Sequence, residues 1–142
     1  MNIRIQSGRF FWGKVKLNSL INSTLNIKEL LVEIPAGTIQ LRDDRVSKMW
    51  DVRIKSFYVL KYQVTKEVYQ EITGENPSTF KGEKLPVETV SWFDSIYFCN
   101  KLSTRLGLDN CYEIVSGKDE IRFDEGVNGF RFPTETEWQF AC

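Results

Sequence analysis

The sequence predicts an α+β fold of many short elements, with about three helices set among short strands. Three observations carry this. Three segments open with a capping residue and continue with apolar side chains at helical spacing, at Thr65, Ser91 and Thr134. Between them lie short alternating runs cut by Pro, Gly and Asn turns, the pattern of strands. Four Trp, five Tyr and ten Phe make the chain 13% aromatic, which points to a core of large flat side chains and not to a Leu/Ala helical bundle. At 142 residues the chain suits one domain, and neither an internal repeat nor a low-complexity linker divides it.

Residues 1–29 read as an N-terminal extension. Ile3, Ile5, Phe11, Val15 and Leu17 alternate in patches, which allows one or two strands around Ser7-Gly8. Residues 18–26 are polar and loop-like. They contain Asn22-Ser23-Thr24, a glycosylation pattern expected to go unused without a secretion signal. From residue 30 the pattern sharpens. Leu31-Val32-Glu33-Ile34 is a strand ended by the Pro35-Ala36-Gly37 turn, and Thr38-Ile39-Gln40-Leu41 resumes in strand period. Arg42-Asp43-Asp44-Arg45 reads as a solvated charged turn, and residues 52–59 as one half-buried strand. Thr65 caps a helix over Lys66–Thr73, with Val68, Tyr69 and Ile72 on one side and Gly74 as its stop.

Residues 76–84 form a polar loop containing Pro77 and Gly82. Ser91 caps the clearest helix, and Asp94 three residues on completes a short-armed capping box. Trp92, Ile96, Cys99, Leu102 and Leu106 follow helical spacing until Gly107 ends it. Residues 111–115 and 120–123 read as two short strands about a turn at Ser116-Gly117, and Asn128-Gly129 is a further turn. Thr134 and Glu137 form a second capping box after Pro133, opening a helix with Trp138, Phe140 and Ala141 on its apolar face. This helix has about two turns before the chain ends, with no stop signal. The expectation is that more of the fold is lost, encoded separately or supplied by another chain.

Composition narrows the function. Nineteen basic and nineteen acidic residues give a net charge of zero, so no nucleic-acid partner is expected. No apolar run approaches the roughly 20 residues that span a bilayer, and the start lacks a signal-peptide core, so no membrane partner and a cytoplasmic location are expected. Histidine is absent, which leaves no Ser-His-Asp or Cys-His mechanism within these residues. Cys99, Cys111 and Cys142 are odd in number and form no CxxC. Cys99 is expected to be a buried small apolar side chain, and Cys142 to be exposed and reactive.

Five pieces in order carry a resemblance: VEIPAG at 32–37, FYVLKYQVT at 57–65, PVETVSWFDSIYFCN at 86–100, Cys111-Tyr112-Glu113, and GFRFPTETEWQFA at 129–141. Together they resemble the formylglycine-generating enzyme, or sulfatase-modifying factor, family over residues 30–142. The resemblance implies an irregular α+β fold related to C-type lectins. It also implies kinship with oxygen-dependent enzymes that convert a sulfatase cysteine to formylglycine on copper held by two cysteines, and with non-catalytic binding modules. Iron-dependent relatives are a poor match for a chain without histidine. Two mild departures occur: Gln40-Leu41 stand where the family often has Met-Gly, and Phe132 and Thr136 vary the Arg-Leu-Pro-Thr-Glu-Ala-Glu-Trp signature. The Arg-Gly-Gly that usually follows does not appear. Nor does the second half, which in the enzymes carries the cysteine pair and calcium loops. Copper and structural calcium are therefore implied only for full-length catalytic relatives, and no catalytic, cofactor-binding or metal-binding residue is carried over.

The family-signature residues Trp92, Asp94, Arg131, Pro133, Thr134, Glu135, Glu137 and Trp138 are expected to be structural. Glu137 closes a capping box, and Glu135 sits where the helix dipole favours an anion. Arg131 is expected to pair with a carboxylate or to cap carbonyls. Trp92 and Trp138 could line a binding cleft, but one per helix near its N-terminal end is more often a core anchor, so they are expected to be buried beside Phe57 and Tyr58. The end of the last helix, residues 140–142, is expected to fray and to present apolar surface. The partner expected for that surface is a missing C-terminal half or another protein chain. Two functions remain open: part of a formylglycine-generating enzyme, inactive by itself, or a binding or structural module on a lectin-like scaffold.

Overall fold

The computed structural model describes residues 4–6, 27–115 and 120–142. Its main sheet has four antiparallel strands in the order β2-β5-β1-β8. These are β1 (Arg4–Gln6), β2 (Leu31–Ile34), β5 (Phe57–Leu60) and β8 (Phe130–Arg131). β1 lies between β5 and β8, with Ile5 opposite both Tyr58 and Phe130, so residues 4–6 belong to the sheet itself. Residues 7–26, including the sequon and the turn at Ser7-Gly8, lie outside the described residues, as does the turn at 116–119.

Two hairpins complete the strands. β3 (Gly37–Asp43) pairs with β4 (Lys48–Ile54) from Gly37↔Ile54 to Asp43↔Lys48. β6 (Tyr112–Val115) pairs with β7 (Glu120–Phe123). Two expectations are corrected here. The stretch expected as one strand over 52–59 is two, broken at Lys55-Ser56, so that Ile54 ends the hairpin and Phe57 begins a strand of the main sheet. Arg42 and Asp43 finish β3, and the turn proper is Asp44 to Ser47, with Ser47 at a φ of 49°.

The helices follow their sequence signals. α1 (Lys66–Thr73) starts where Thr65 Oγ1 accepts from the Val68 N–H, and ends at Gly74, whose φ of 84° is left-handed. α2 (Trp92–Arg105) has both arms of its capping box. Asp94 Oδ2 accepts from the Ser91 N–H at 2.8 Å, and Ser91 Oγ accepts from the Asp94 N–H at 3.2 Å. α3 (Glu135–Ala141) repeats the device with Thr134 and Glu137.

The core lies between the main sheet and the α1/α2 pair. Phe57, Phe98, Phe130, Ile96, Cys99 and Leu102 are wholly enclosed. Tyr69 on α1 stacks on Phe98 of α2 with ring centres 5.3 Å apart. Ser103 joins α2 to β8: its hydroxyl donates to the Cys99 carbonyl at 2.9 Å and accepts from the Phe130 N–H at 2.8 Å. A buried hydroxyl satisfied on both sides in this way costs little and fixes the register of helix on strand.

Candidate functional site

The signature segment is a structural lock. Arg131 ends β8 only 3% exposed, and its guanidinium forks onto Glu137, with Nη1 to Oε2 at 3.1 Å and Nη2 to Oε1 at 3.0 Å. Nη1 also donates to the Phe132 carbonyl at 2.7 Å, and the guanidinium lies 5.7 Å from the centre of the Phe123 ring. Glu137 Oε2 accepts from the Thr134 N–H at 2.9 Å, so one carboxylate closes the capping box and neutralises a buried cation. Pro133 stands between these partners. Glu135 is at the surface, in the first turn of α3. Arg131, Thr134 and Glu137 are thus brought together. Burial lowers the Arg131 pKa, since its charged form is withdrawn from water.

The two tryptophans overturn their expectation. Trp92 is 56% exposed and Trp138 is 44% exposed. Trp92 is the first residue of α2, and a helical side chain leans over the turn before its own Cα. It therefore projects past the end of the core, where burial starts only at Ser95. α3 instead turns Glu137 inward, because its inner neighbour is Arg131, and this rotates Trp138 outward. Phe57 is wholly enclosed.

α3 is helical through Ala141, and the Cys142 N–H reaches the Trp138 carbonyl at 3.2 Å. Phe140 packs on the start of β3, where a Cβ on Gly37 would meet its ring at 2.5 Å.

Trp92 opens an aromatic surface. Phe93 meets it edge to face at 5.2 Å, and Tyr97 follows one turn along, both close to half exposed. The loop before α2 is held by Glu88, whose carboxylate accepts from the Phe80 N–H at 2.9 Å and from the Thr89 hydroxyl at 2.5 Å. Those bonds, the Thr89 one first, hold the Glu88 carboxyl below its usual pKa. Buried Lys66 adds an ion pair to Glu88 at 3.4 Å and a bond to the Phe80 carbonyl. Asp94 is held below the usual range by the Ser91 hydroxyl first and the Ser91 amide second. Beyond Tyr97 the face runs into an open groove of about 570 Å³ lined by Tyr97, Lys101, Thr104, Asn110 and Ile114. The Lys101 ammonium sits 4.7 Å from the centre of the Tyr97 ring. The sequence offered Trp92 as a cleft residue but singled out neither Phe93 nor Tyr97. Adjacent Trp92 and Phe93 at a helix start, ahead of the first buried position, were the available signal.

The cysteines are arranged otherwise than for copper. Cys99 and Cys111 are enclosed in the core, and Cys142 is exposed and far along the chain on α3's end. Burial pushes both core thiols above their usual pKa, which disfavours the thiolate that metal binding needs. Among the described residues no group of three or more His, Cys, Asp or Glu is placed to hold a metal ion. No helix among them is long and apolar enough to cross a membrane.

The described residues form an irregular α+β domain, with a locked β8–α3 corner and an aromatic face on α2, the longest of the described helices. The chain belongs to the sulfatase-modifying factor family: the sulfatase-modifying factor enzyme 1-like domain matches residues 20–142. It is 38% identical over 134 residues to the chaperone protein LppX of Paenibacillus barcinonensis, covering 85% of this chain and 47% of that protein. It superposes on the Treponema denticola variable protein 1 with a TM-score of 0.69 and 32% identity, over 78% of this chain and 51% of that one. The chain thus spans about half the length of these relatives.

Proposed function

We propose that this chain is a protein-recognition module of the sulfatase-modifying factor family, one that holds non-native or extended polypeptide by apolar contact and does not itself oxidise cysteine. The observation that carries the reading is the aromatic face of α2. Trp92, Phe93 and Tyr97 stand at the surface in one patch, on a helix whose start is fixed by a complete capping box. Rigid aromatic side chains offer large contact area at little entropic cost, and Trp and Tyr are the residues most often found at binding hot spots. The groove beyond Tyr97 adds amide, hydroxyl and ammonium groups for the backbone of a bound segment. The relative named as a chaperone supports the same reading.

The test is suppression of light scattering from reduced insulin by the purified chain, compared with a Trp92→Ser/Phe93→Ser variant. The wild type should suppress scattering in a dose-dependent way, and the variant should need roughly fivefold more protein, as the loss of about 1 kcal/mol at a hot spot requires. No suppression, or equal suppression by both, would refute the reading. A second reading, part of a formylglycine-generating enzyme whose cysteine pair lies on other polypeptide, draws on the half-length match to the relatives. A downstream reading frame opening with Arg-Gly-Gly and carrying a cysteine pair would favour it.

A further inference from the structure

One edge of β6 is pinned to α2 at a single residue and open beyond it. Ladder bonds alternate in an antiparallel pair, so every second residue of β6 turns its N–H and carbonyl away from β7. The Asp124 N–H donates to the Cys111 carbonyl at 2.9 Å, which puts Cys111 in the bonded set, with Glu113 and Val115 following at intervals of two. Tyr112 and Ile114 therefore face outward. For Tyr112 the outward pair is met by a side chain: Asn100 Nδ2 donates to its carbonyl at 2.7 Å, and its N–H donates to Asn100 Oδ1 at 3.3 Å. The Asn100 carboxamide thus stands in for the peptide group of a neighbouring strand, for one residue only. Among the described residues no group bonds the outward N–H or carbonyl of Ile114, which is 47% exposed. This open pair is level with the aromatic face. Thr104 bonds Asn110 and Asn100 bonds Tyr112, so β6 runs back along α2. Two strand residues advance about 6.6 Å and four helical residues about 6 Å, which sets Ile114 beside the turn that carries Tyr97. Both residues line the open groove.

We propose that the groove between α2 and β6 takes an extended polypeptide as an antiparallel third strand of the β6–β7 sheet, bonded through the N–H and carbonyl of Ile114. The proposal rests on the reading of this chain as a protein-recognition module and names how the client backbone is held. An open edge is a template for another strand, and main-chain bonds hold a segment of almost any sequence, which suits a module for non-native chains. A single outward pair is what one residue of an antiparallel partner satisfies with its own N–H and carbonyl. The edge also prefers a pattern. The side chains of Ile114 and its partner Ile121 share one face of the hairpin, and those of Glu113 and Arg122 share the other. The Glu113–Arg122 ion pair is loose at 3.7 Å, with both side chains about two-thirds exposed, so Glu113 is open to a second cation. The client residue opposite Ile114 is therefore apolar, and the one opposite Glu113 is basic. A second copy of this chain, paired edge to edge, is the competing occupant.

The experiment titrates the capped peptide Thr-Lys-Val-Lys-Thr into the isotopically labelled chain and follows the backbone amides by NMR. The Ile114 amide should shift downfield, gain protection from hydrogen exchange and saturate. An N-methyl group on the peptide's Val removes the one donor aimed at Ile114, and should raise Kd about tenfold. The same group on the second Lys, whose N–H points away from β6, should raise Kd less than about twofold. Replacing both Lys by Glu should weaken binding about threefold. Ile114→Pro removes the outward N–H and leaves the ladder bonds in place, since proline is tolerated on an edge strand, and should abolish binding. The methylation series uses the wild-type chain, so it decides the matter even where Ile114→Pro does not fold. The proposal is overturned if no peptide binds, if the Ile114 amide is unmoved at saturation, or if the two N-methyl peptides bind alike. It is overturned equally if the Ile114 amide shifts with the concentration of the free chain, which marks pairing between copies. A peptide that moves the amides of Trp92 and Phe93 and not that of Ile114 overturns the strand site and leaves the aromatic face standing. Engagement of Ile114, with insulin scattering unchanged in the Trp92→Ser/Phe93→Ser variant, does the reverse.

Discussion

Replacing Arg131 should be the most costly single change on the surface of the sheet–helix corner. The guanidinium makes three hydrogen bonds, two of them to Glu137, and the two side chains are only 4% and 11% exposed. Arg131→Ala removes the cation and leaves the Glu137 carboxylate buried with its charge uncompensated. Breaking a buried pair in this way costs about 3–5 kcal/mol. The Phe132 carbonyl is only half-buried, so water can replace its lost donor and little is added. Against a total stability of roughly 5–15 kcal/mol, that is between about a fifth of the whole and nearly all of it. Arg131→Lys keeps the charge and loses the fork, and should cost about half as much. Urea melts followed by circular dichroism measure both. With a slope of about 2 kcal/mol/M, the midpoint should fall by roughly 2 M for Arg131→Ala and by roughly 1 M for Arg131→Lys. A shift below about 0.5 M for Arg131→Ala would show that the pair is solvated, and that α3 is held by other means.

Other substitutions follow from the same packing. Phe98→Ala should cost about 3–5 kcal/mol in denaturant melts, because Phe98 is enclosed and stacked on Tyr69, whereas Trp92→Ala should cost less than about 1 kcal/mol. Gly129→Ala should cost about 3 kcal/mol or more in melting experiments, since its Cβ would come within 2.0 Å of the Asp109 carbonyl oxygen, a backbone atom that cannot step aside. Stability should decline on the alkaline side. Burial raises the Cys99 and Cys111 pKa values, so in the folded chain both thiols keep their protons after the unfolded chain, with thiols near 8.5, has released its own. Stabilisation is full below that unfolded value and is lost as pH rises above it. Cys99→Ala/Cys111→Ala should flatten the pH profile of the melting temperature between about pH 8 and 10.

Local chemistry made the helices legible. Thr65, Ser91 and Thr134 cap where capping residues should, and Gly74 turns left-handed where a helix must stop. Strand alternation located the β6–β7 hairpin and the middle of β3, because a ribbon with one wet face writes its period into the sequence, but it ran the end of β4 into β5. What failed was the step from apolar to inward. Trp92 lies on the stripe of Ile96 and Cys99 but one turn beyond the core, and helical spacing carries no information about where the neighbouring layer ends. Trp138 lies beside a charged residue that is the truly buried one, since Arg131 makes an acid the best inward-facing side chain at position 137. The insertion of β1 between β5 and β8 was also out of reach, because three residues are too few to show a period and their partners are more than fifty residues away. The aromatic face of α2 was hidden by the same habit of assigning large aromatics to the core.

The central claim is that the aromatic face of α2 receives polypeptide. Its most direct test is the fluorescence of a variant retaining only Trp92, titrated with reduced, unfolded α-lactalbumin. Binding at this face should shift the Trp92 emission to the blue, reduce its quenching by acrylamide and saturate, without copper and without oxygen uptake. An emission that stays that of a solvated indole while the client demonstrably binds, or turnover of a cysteine-containing sulfatase peptide by the copper-loaded chain, would contradict it.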